Sequence, residues 1–253
     1  MTDVIILHGA WHQPAHYAEL ADLLRARELS VEVPDLYELS LAESTAKVEA
    51  VVCGSSQPPV VVGHSFGGVT AGTVRGAAAL VFLNSWILDV DESPAKILGE
   101  TPGEPCEGLI ALPDADGRLC LDPADARAKL FGDIDEPAAT RAMELLRPEP
   151  PTIFNATPNH VSWRDTPSIY LRGQQDRTIA SPPSGPFRQA LFSDGNVGHQ
   201  SLALSAPSRR RGRPDPAPAS GPRQLSWDRV PLARLLRRTD DGGHLAHLTR
   251  GPG

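Results

Sequence analysis

The chain lacks any apolar run near the ~20 residues that a bilayer crossing requires. Its opening, MTDVIILHGAW, has no basic stretch ahead of the apolar residues and no cleavage-like site. Neither a membrane anchor nor a secretory leader is therefore expected. Cysteine is scarce. Cys53, Cys106 and Cys120 make an odd count without metal-ligand spacing, which argues against a disulfide framework or a thiolate metal site. Free thiols in a reducing cytoplasm are the expectation. Lysine, isoleucine, phenylalanine and tyrosine are all missing from residues 205–253. That stretch holds ten Arg against four Asp, a balance of +6, whereas the preceding 204 residues hold 14 basic against 27 acidic side chains. So biased a composition suits a poorly ordered tail, apart from a helical turn or two in VPLARLLRR. A basic tail is one route to nucleic acid or an acidic membrane, but no such partner is expected here. Out-of-frame reading of a GC-rich gene gives the same composition, an idea that resequencing the locus would test.

What is present is a strand–helix alternation. VIIL (Val4–Leu7) precedes a helix whose Tyr17, Leu20, Ala21 and Leu24 share one face. SVEVPDL gives a short strand, and a second helix is expected over Leu41–Val52. PVVVG (Pro59–Gly63) and AALVFLN (Ala78–Asn84) are apolar without alternation, as strands covered on both faces are. The pattern predicts βαβ units around a mostly parallel sheet in an α/β domain, residues 1–204. Between about Asp89 and Val161 the spacing changes to short helical pieces, with Asp122-Pro123 and Pro137 at helix starts. This reads as an inserted helical cap rather than more sheet. The strand pattern returns in PSIYLRG (Pro167–Gly173), with a short helix expected near Gly185–Leu191.

Gly63-His64-Ser65-Phe66-Gly67 joins a strand to a helix pattern. Glycines at these offsets permit a sharp turn that lifts the serine above the sheet edge, beside the N-terminus of the next helix. A serine hydroxyl becomes nucleophilic when a histidine removes its proton, and that histidine needs a carboxylate to fix its tautomer. Asp176, after the last predicted strand, is the candidate acid. An oxyanion hole needs the N–H of the residue after the serine, Phe66, and one from the loop after an early strand. ILHGAWH supplies that loop, with Ala10 N–H as the donor.

VIILHGAWHQPAHYAELADLLRARELSVEVPDL, VVVGHSFGG and TPSIYLRGQQDRTI together resemble the α/β-hydrolase superfamily, over roughly Met1–Ile179. More narrowly they resemble the small hydrolases that include plant methyl-ester esterases, hydroxynitrile lyases and bacterial relatives. The resemblance implies an α/β-hydrolase fold with a helical cap over the pocket. It implies a triad of Ser65, Asp176 and a later histidine, with Ala10 and Phe66 as oxyanion donors. Two histidines compete. His199, 23 residues after Asp176, resembles the family's Gly-His followed by Leu-Ser-x-Pro; His244 resembles a Gly-His ending 68 residues after it. Spacing favours His199, and a chain in which neither serves remains open.

The expected reaction is cleavage of a small-molecule carboxylic ester through an acyl-enzyme, needing no metal or organic cofactor. Hydroxynitrile lyase chemistry is disfavoured: those relatives carry a threonine where this chain has Gly9 and a lysine after the base, where Gln200 and Leu245 stand. The alternative is a hydrolase scaffold that binds a small ligand without turnover. Trp11, His64 and His160 are the substrate-binding candidates, and Trp86, Leu98, Leu109, Phe131 and Leu145 could join them from the cap. Substrate identity and oligomeric state are not legible at this level.

Overall fold

The computed structural model describes residues 2–100, 108–171 and residue 178. Asp176, His199, His244, the helix expected near Gly185–Leu191 and the segment 205–253 lie outside the described residues. Strand β1 (Val4–Leu7) leads through a 3-10 turn (Pro14–Tyr17) into α1 (Ala18–Arg25) and the short β2 (Val31–Glu32). Next come α2 (Leu41–Gly54), β3 (Val60–Ser65), α3 (Gly67–Ala71) and β4 (Ala79–Ser85). Among the described residues five strands form one parallel sheet, in the order β2-β1-β3-β4-β7, where β7 is Ser168–Leu171. Chain order reverses at β1 and β3, and an open α/β sheet presents ligands with a crevice at the carboxyl end of such a point.

Local chemistry explains the elements. Ser40 Oγ accepts the Glu43 N–H at 3.3 Å while Glu43 Oε2 accepts the Ser40 N–H at 2.9 Å, a reciprocal cap that fixes the start of α2. Ile5 and Leu7 of β1 pack with Val48 and Val52 of α2 on one face of the sheet. Val4 and Ile6 pack with Tyr17 and Ala21 on the other. Both faces are thus covered, which is why the strands read as continuous apolar runs. Trp163 is 2% exposed in the first layer, and its Nε1–H donates to the Leu88 carbonyl at 2.9 Å.

The stretch between β4 and β7 carries helices α4 (Pro94–Glu100), α5 (Pro123–Leu130) and α6 (Glu136–Glu144), and a 3-10 turn at Pro151–Asn155. Asp122 and Asp135 cap α5 and α6 by accepting the Asp125 and Ala138 N–H groups, both at 2.8 Å. One expectation is corrected here. The segment contains sheet as well: β5 (Ala111–Pro113) pairs antiparallel with β6 (Leu119–Leu121). The turn between them, Asp114 to Gly117, gathers three N–H···O bonds onto Asp114 and places Gly117 at φ +76°. Asp and Gly at those positions stabilise such a turn. Among the described residues no helix is long and apolar enough to cross a membrane.

Candidate active site

Ser65 ends β3 with φ +50°, a conformation that L side chains rarely adopt. The β3–β4 register shifts between His64 and Ser65, so the ladder breaks where the chain turns. The serine's carbonyl is held from β4: Ser85 Oγ donates to it at 2.8 Å and the Trp86 N–H at 3.1 Å. Ser85 is itself fixed by Tyr170 of β7, whose Oη accepts the Ser85 N–H at 3.0 Å and donates to the Ser85 carbonyl at 3.1 Å. Glycine is required around the turn. A Cβ on Gly63 would lie 2.7 Å from Gly68 Cα, and one on Gly67 would overlap the Leu7 carbonyl oxygen.

The loop after β1 packs directly on the elbow. A Cβ on Gly9 would sit 2.9 Å from Ser65 Cβ. The N–H groups of this loop are nearly all engaged. Gly9 N–H donates to Tyr17 Oη at 3.1 Å, Trp11 N–H to Glu149 Oε1 at 3.0 Å, and His12 N–H to the Gly9 carbonyl at 3.2 Å. Among the described residues no partner takes the N–H of Ala10, nor that of Phe66, the two sequence-predicted oxyanion donors. A peptide's N–H and C=O point in opposite directions, so the partners of the Gly9 carbonyl aim the Ala10 N–H. Those partners are His12 N–H and His8 Nδ1, the latter at 3.0 Å. Gly9, Ala10, Phe66, Gly67 and Glu149 contribute to the lining of one small cavity of about 30 Å³. A larger open depression of about 390 Å³ lies along α5 and α6, and shares no lining residue with the elbow.

Four histidines surround the loop. His8 accepts the Leu36 N–H on Nε2 at 2.9 Å, and burial lowers its pKa. Asp35 lies 3.3 Å from that same nitrogen, but Arg147 engages Asp35 with two N–H···O bonds of 2.9 and 2.8 Å. The carboxylate is therefore paired with the guanidinium and His8 is neutral. Burial pulls His12 down to about 3, with His64 adding to the effect. Its Nδ1–H donates to the Ala10 carbonyl at 2.8 Å. His16 Nε2 donates to Ala142 of α6 at 3.0 Å. His64 Nδ1 and the Tyr17 hydroxyl share a hydrogen bond of 2.7 Å, and burial raises the Tyr17 pKa. Burial thus disfavours the charged forms of His8, His12, His16 and Tyr17 around the site.

The structure separates the other candidates. Trp11, 8% exposed at φ +62°, packs under the insertion: Nε1–H donates to the Leu119 carbonyl at 2.8 Å. Its ring sits 5.4 Å from Phe154, which meets Phe66 edge-on at 5.9 Å. His160 lies beyond the C-terminal end of α3, where Nε2 donates to the Thr73 carbonyl at 2.7 Å; Ser65 precedes the N-terminal end of that helix. Phe131 is buried and stacks on His16 at 6.4 Å. Sequence reasoning missed Tyr17 as a site residue, and it missed Glu149. The carboxyl of Glu149 is buried, and burial pushes it up to about 7.

An elbow serine at the switch point of a parallel sheet, faced by a loop whose Ala10 N–H has no partner among the described residues, is the architecture of the alpha/beta hydrolases, and the chain belongs to that family. The alpha/beta hydrolase family model matches residues 4–251. The alpha/beta hydrolase nvfD of Aspergillus novofumigatus is 29% identical over 222 residues, covering 76% of this chain and 84% of that protein. The pyrethroid hydrolase of Sphingobium wenxiniae is 25% identical over 206 residues, covering 71% and 72%. Among solved structures, an extracellular alpha/beta-hydrolase from a Paenibacillus species superposes with a TM-score of 0.60 at 19% identity. That match covers 77% of this chain and 88% of the other, and it bears on the fold alone.

Proposed function

We propose that this protein is a serine-dependent hydrolase of small carboxylic esters. The observation that carries the reading is the pairing of a strained Ser65 with two N–H groups, on Ala10 and Phe66, that have no described partner. Backbone donors left open beside a nucleophile stabilise charge that appears only in the transition state, and losing one costs on the order of ~3 kcal/mol of barrier. Ser65 Oγ attacks the acyl carbonyl while His199, oriented by Asp176, takes its proton. The carbonyl oxygen becomes an oxyanion between Ala10 and Phe66. The imidazolium then protonates the departing alcohol, and a water deprotonated by the same histidine releases the acid and frees the serine. Relatives named as hydrolases support the reaction class. The family match runs through both histidines, and His244 is the alternative base.

The test is hydrolysis of a short-chain aryl ester by the intact chain beside Ser65→Ala, Asp176→Ala, His199→Ala and His244→Ala. Loss in the first three with retention in the fourth is expected. Loss in His244→Ala with retention in His199→Ala would move the base. A folded chain that binds the ester without turning it over would replace catalysis with ligand binding.

A further inference from the structure

The insertion between β4 and β7 does more than cover the sheet. Its segment 142–149 grips the loop after β1 at successive points. His16 Nε2 donates to the Ala142 carbonyl at 3.0 Å, and Gln13 Nε2 donates to the Leu145 carbonyl at 2.7 Å. Arg147 gives its N–H to the Trp11 carbonyl at 2.9 Å and its Nη2 to the His12 carbonyl at 3.0 Å. The last contact is Glu149 Oε1 on the Trp11 N–H at 3.0 Å. That one differs from the rest because it is made by a buried carboxyl that lines the same cavity as Ala10 and Phe66.

We propose that Glu149 is a positioning residue for the oxyanion loop, its carboxyl holding the Ala10–Trp11 peptide so that Ala10 keeps its place beside Ser65. This role rests on the ester-hydrolase reading above. The peptide is held from both ends: His12 Nδ1–H takes its carbonyl at 2.8 Å and Glu149 takes its N–H at 3.0 Å. With both ends fixed this peptide cannot rotate and it pins the Ala10 Cα, while the bonds to the Gly9 carbonyl set the direction of the Ala10 N–H. The grip has a conformation to maintain, because Trp11 sits at φ +62° and a bulky L residue relaxes to negative φ when nothing restrains it. The carboxyl also arrives on a rigid support. Glu149 forms an antiparallel bridge with Leu119 of β6, through N–H···O bonds of 2.7 and 3.0 Å. Trp11 Nε1–H donates to the carbonyl of that same Leu119 at 2.8 Å. Trp11, Leu119 and Glu149 thus close a ring of contacts in which only the Glu149–Trp11 bond reaches the backbone N–H next to the donor.

Two variants test the role: Glu149→Leu, which keeps the volume among Leu36, Leu39 and Ile153 but removes the acceptor, and Glu149→Gln, which keeps an acceptor. Turnover of the aryl ester is read beside amide hydrogen exchange over residues 9–13, which needs no catalysis. In Glu149→Leu the amides of this loop are expected to exchange at least tenfold faster. Its kcat is expected to fall by roughly 10- to 100-fold with KM nearly constant, the signature of a displaced transition-state contact. Glu149→Gln is expected to restore both. Unchanged exchange and kcat in Glu149→Leu would overturn the proposal, as would a Gln variant as impaired as the Leu one. If the intact chain turns over no ester, the hydrolase reading fails by itself, and the exchange rates still decide whether Glu149 holds the loop.

Discussion

Tyr17 and His64 meet through a 2.7 Å hydrogen bond between the phenol oxygen and Nδ1, while the same oxygen accepts the Gly9 N–H at 3.1 Å. One hydroxyl therefore ties the residue before Ser65 to the loop that carries the Ala10 N–H. Tyr17→Phe leaves the buried Gly9 N–H without its acceptor and removes the contact to the half-buried His64 ring. It is expected to lose about 1–3 kcal/mol of stability and roughly tenfold in kcat as the loop loosens. Urea unfolding and steady-state kinetics check the two halves separately. An unchanged unfolding midpoint would remove this residue from the account.

Ser65 holds a side chain at φ +50°, and such backbone strain costs on the order of 1–3 kcal/mol. Ser65→Ala keeps the Cβ and therefore the strain, whereas Ser65→Gly releases it. Both are expected to lack turnover, with the glycine variant the more stable by about 1 kcal/mol after the greater freedom of its unfolded chain is counted. Thermal melting of the pair reads the difference directly. A glycine variant less stable than the alanine one, by about the 0.4–1 kcal/mol of its extra chain entropy, would mean that the elbow stores no strain.

Gly67 is enclosed by the carbonyls of Leu7 and His8, and these are backbone atoms that cannot swing aside. Gly67→Ala is expected to destabilise by about 2–3 kcal/mol or more, since overpacking here moves β1 away from α3. Recovery of a soluble variant with an unshifted melt would contradict the packing described.

Glu149 is expected to give the chain a pH-dependent stability. Its carboxyl is raised from 4.5 to about 7, burial outweighing the Trp11 N–H bond and the pull of Arg147 and Arg118, with Glu38 adding to the rise; His8 lines the same cavity and is neutral. The folded state then binds more protons than the unfolded state between those values, so stability is full at low pH and falls as pH rises through the window. The loss amounts to ~3 kcal/mol at the upper end. Comparing urea midpoints at pH 5 and pH 8 checks this. The fall is expected in the intact chain and largely absent in Glu149→Gln.

The sheet and the elbow were legible because their causes are local. Strands covered on both faces must be apolar throughout, as Val60–Val62 and Ala79–Phe82 are, and a turn packed against Leu7 must carry glycine at Gly67. The face of α1 was legible for the same reason, and Tyr17, Leu20, Ala21 and Leu24 do pack together. Pro14 confines the helix itself to Ala18–Arg25 by opening the preceding stretch as a 3-10 turn. The β5–β6 hairpin was missed although Asp114 and Gly117 signal its turn, because its strands are only three residues each and carry little periodicity. Glu149 and Tyr17 were missed for a different reason. Nothing within a few residues of Glu149 distinguishes it from a surface carboxylate; only tertiary structure brings it to Trp11.

That bond between Trp11 and Glu149 spans 138 positions of chain, and its length has a consequence for the order of assembly. Closing so distant a contact costs more conformational entropy than pairing β1 with β3, whose partners Val4 and Val60 stand much nearer in sequence. In refolding followed by pulsed exchange, the amides of β1 and β3 are therefore expected to gain protection before that of Trp11. The chain would pass through a stage in which the serine is already set in its sheet while the loop opposite it still fluctuates, so that activity ripens after the fold.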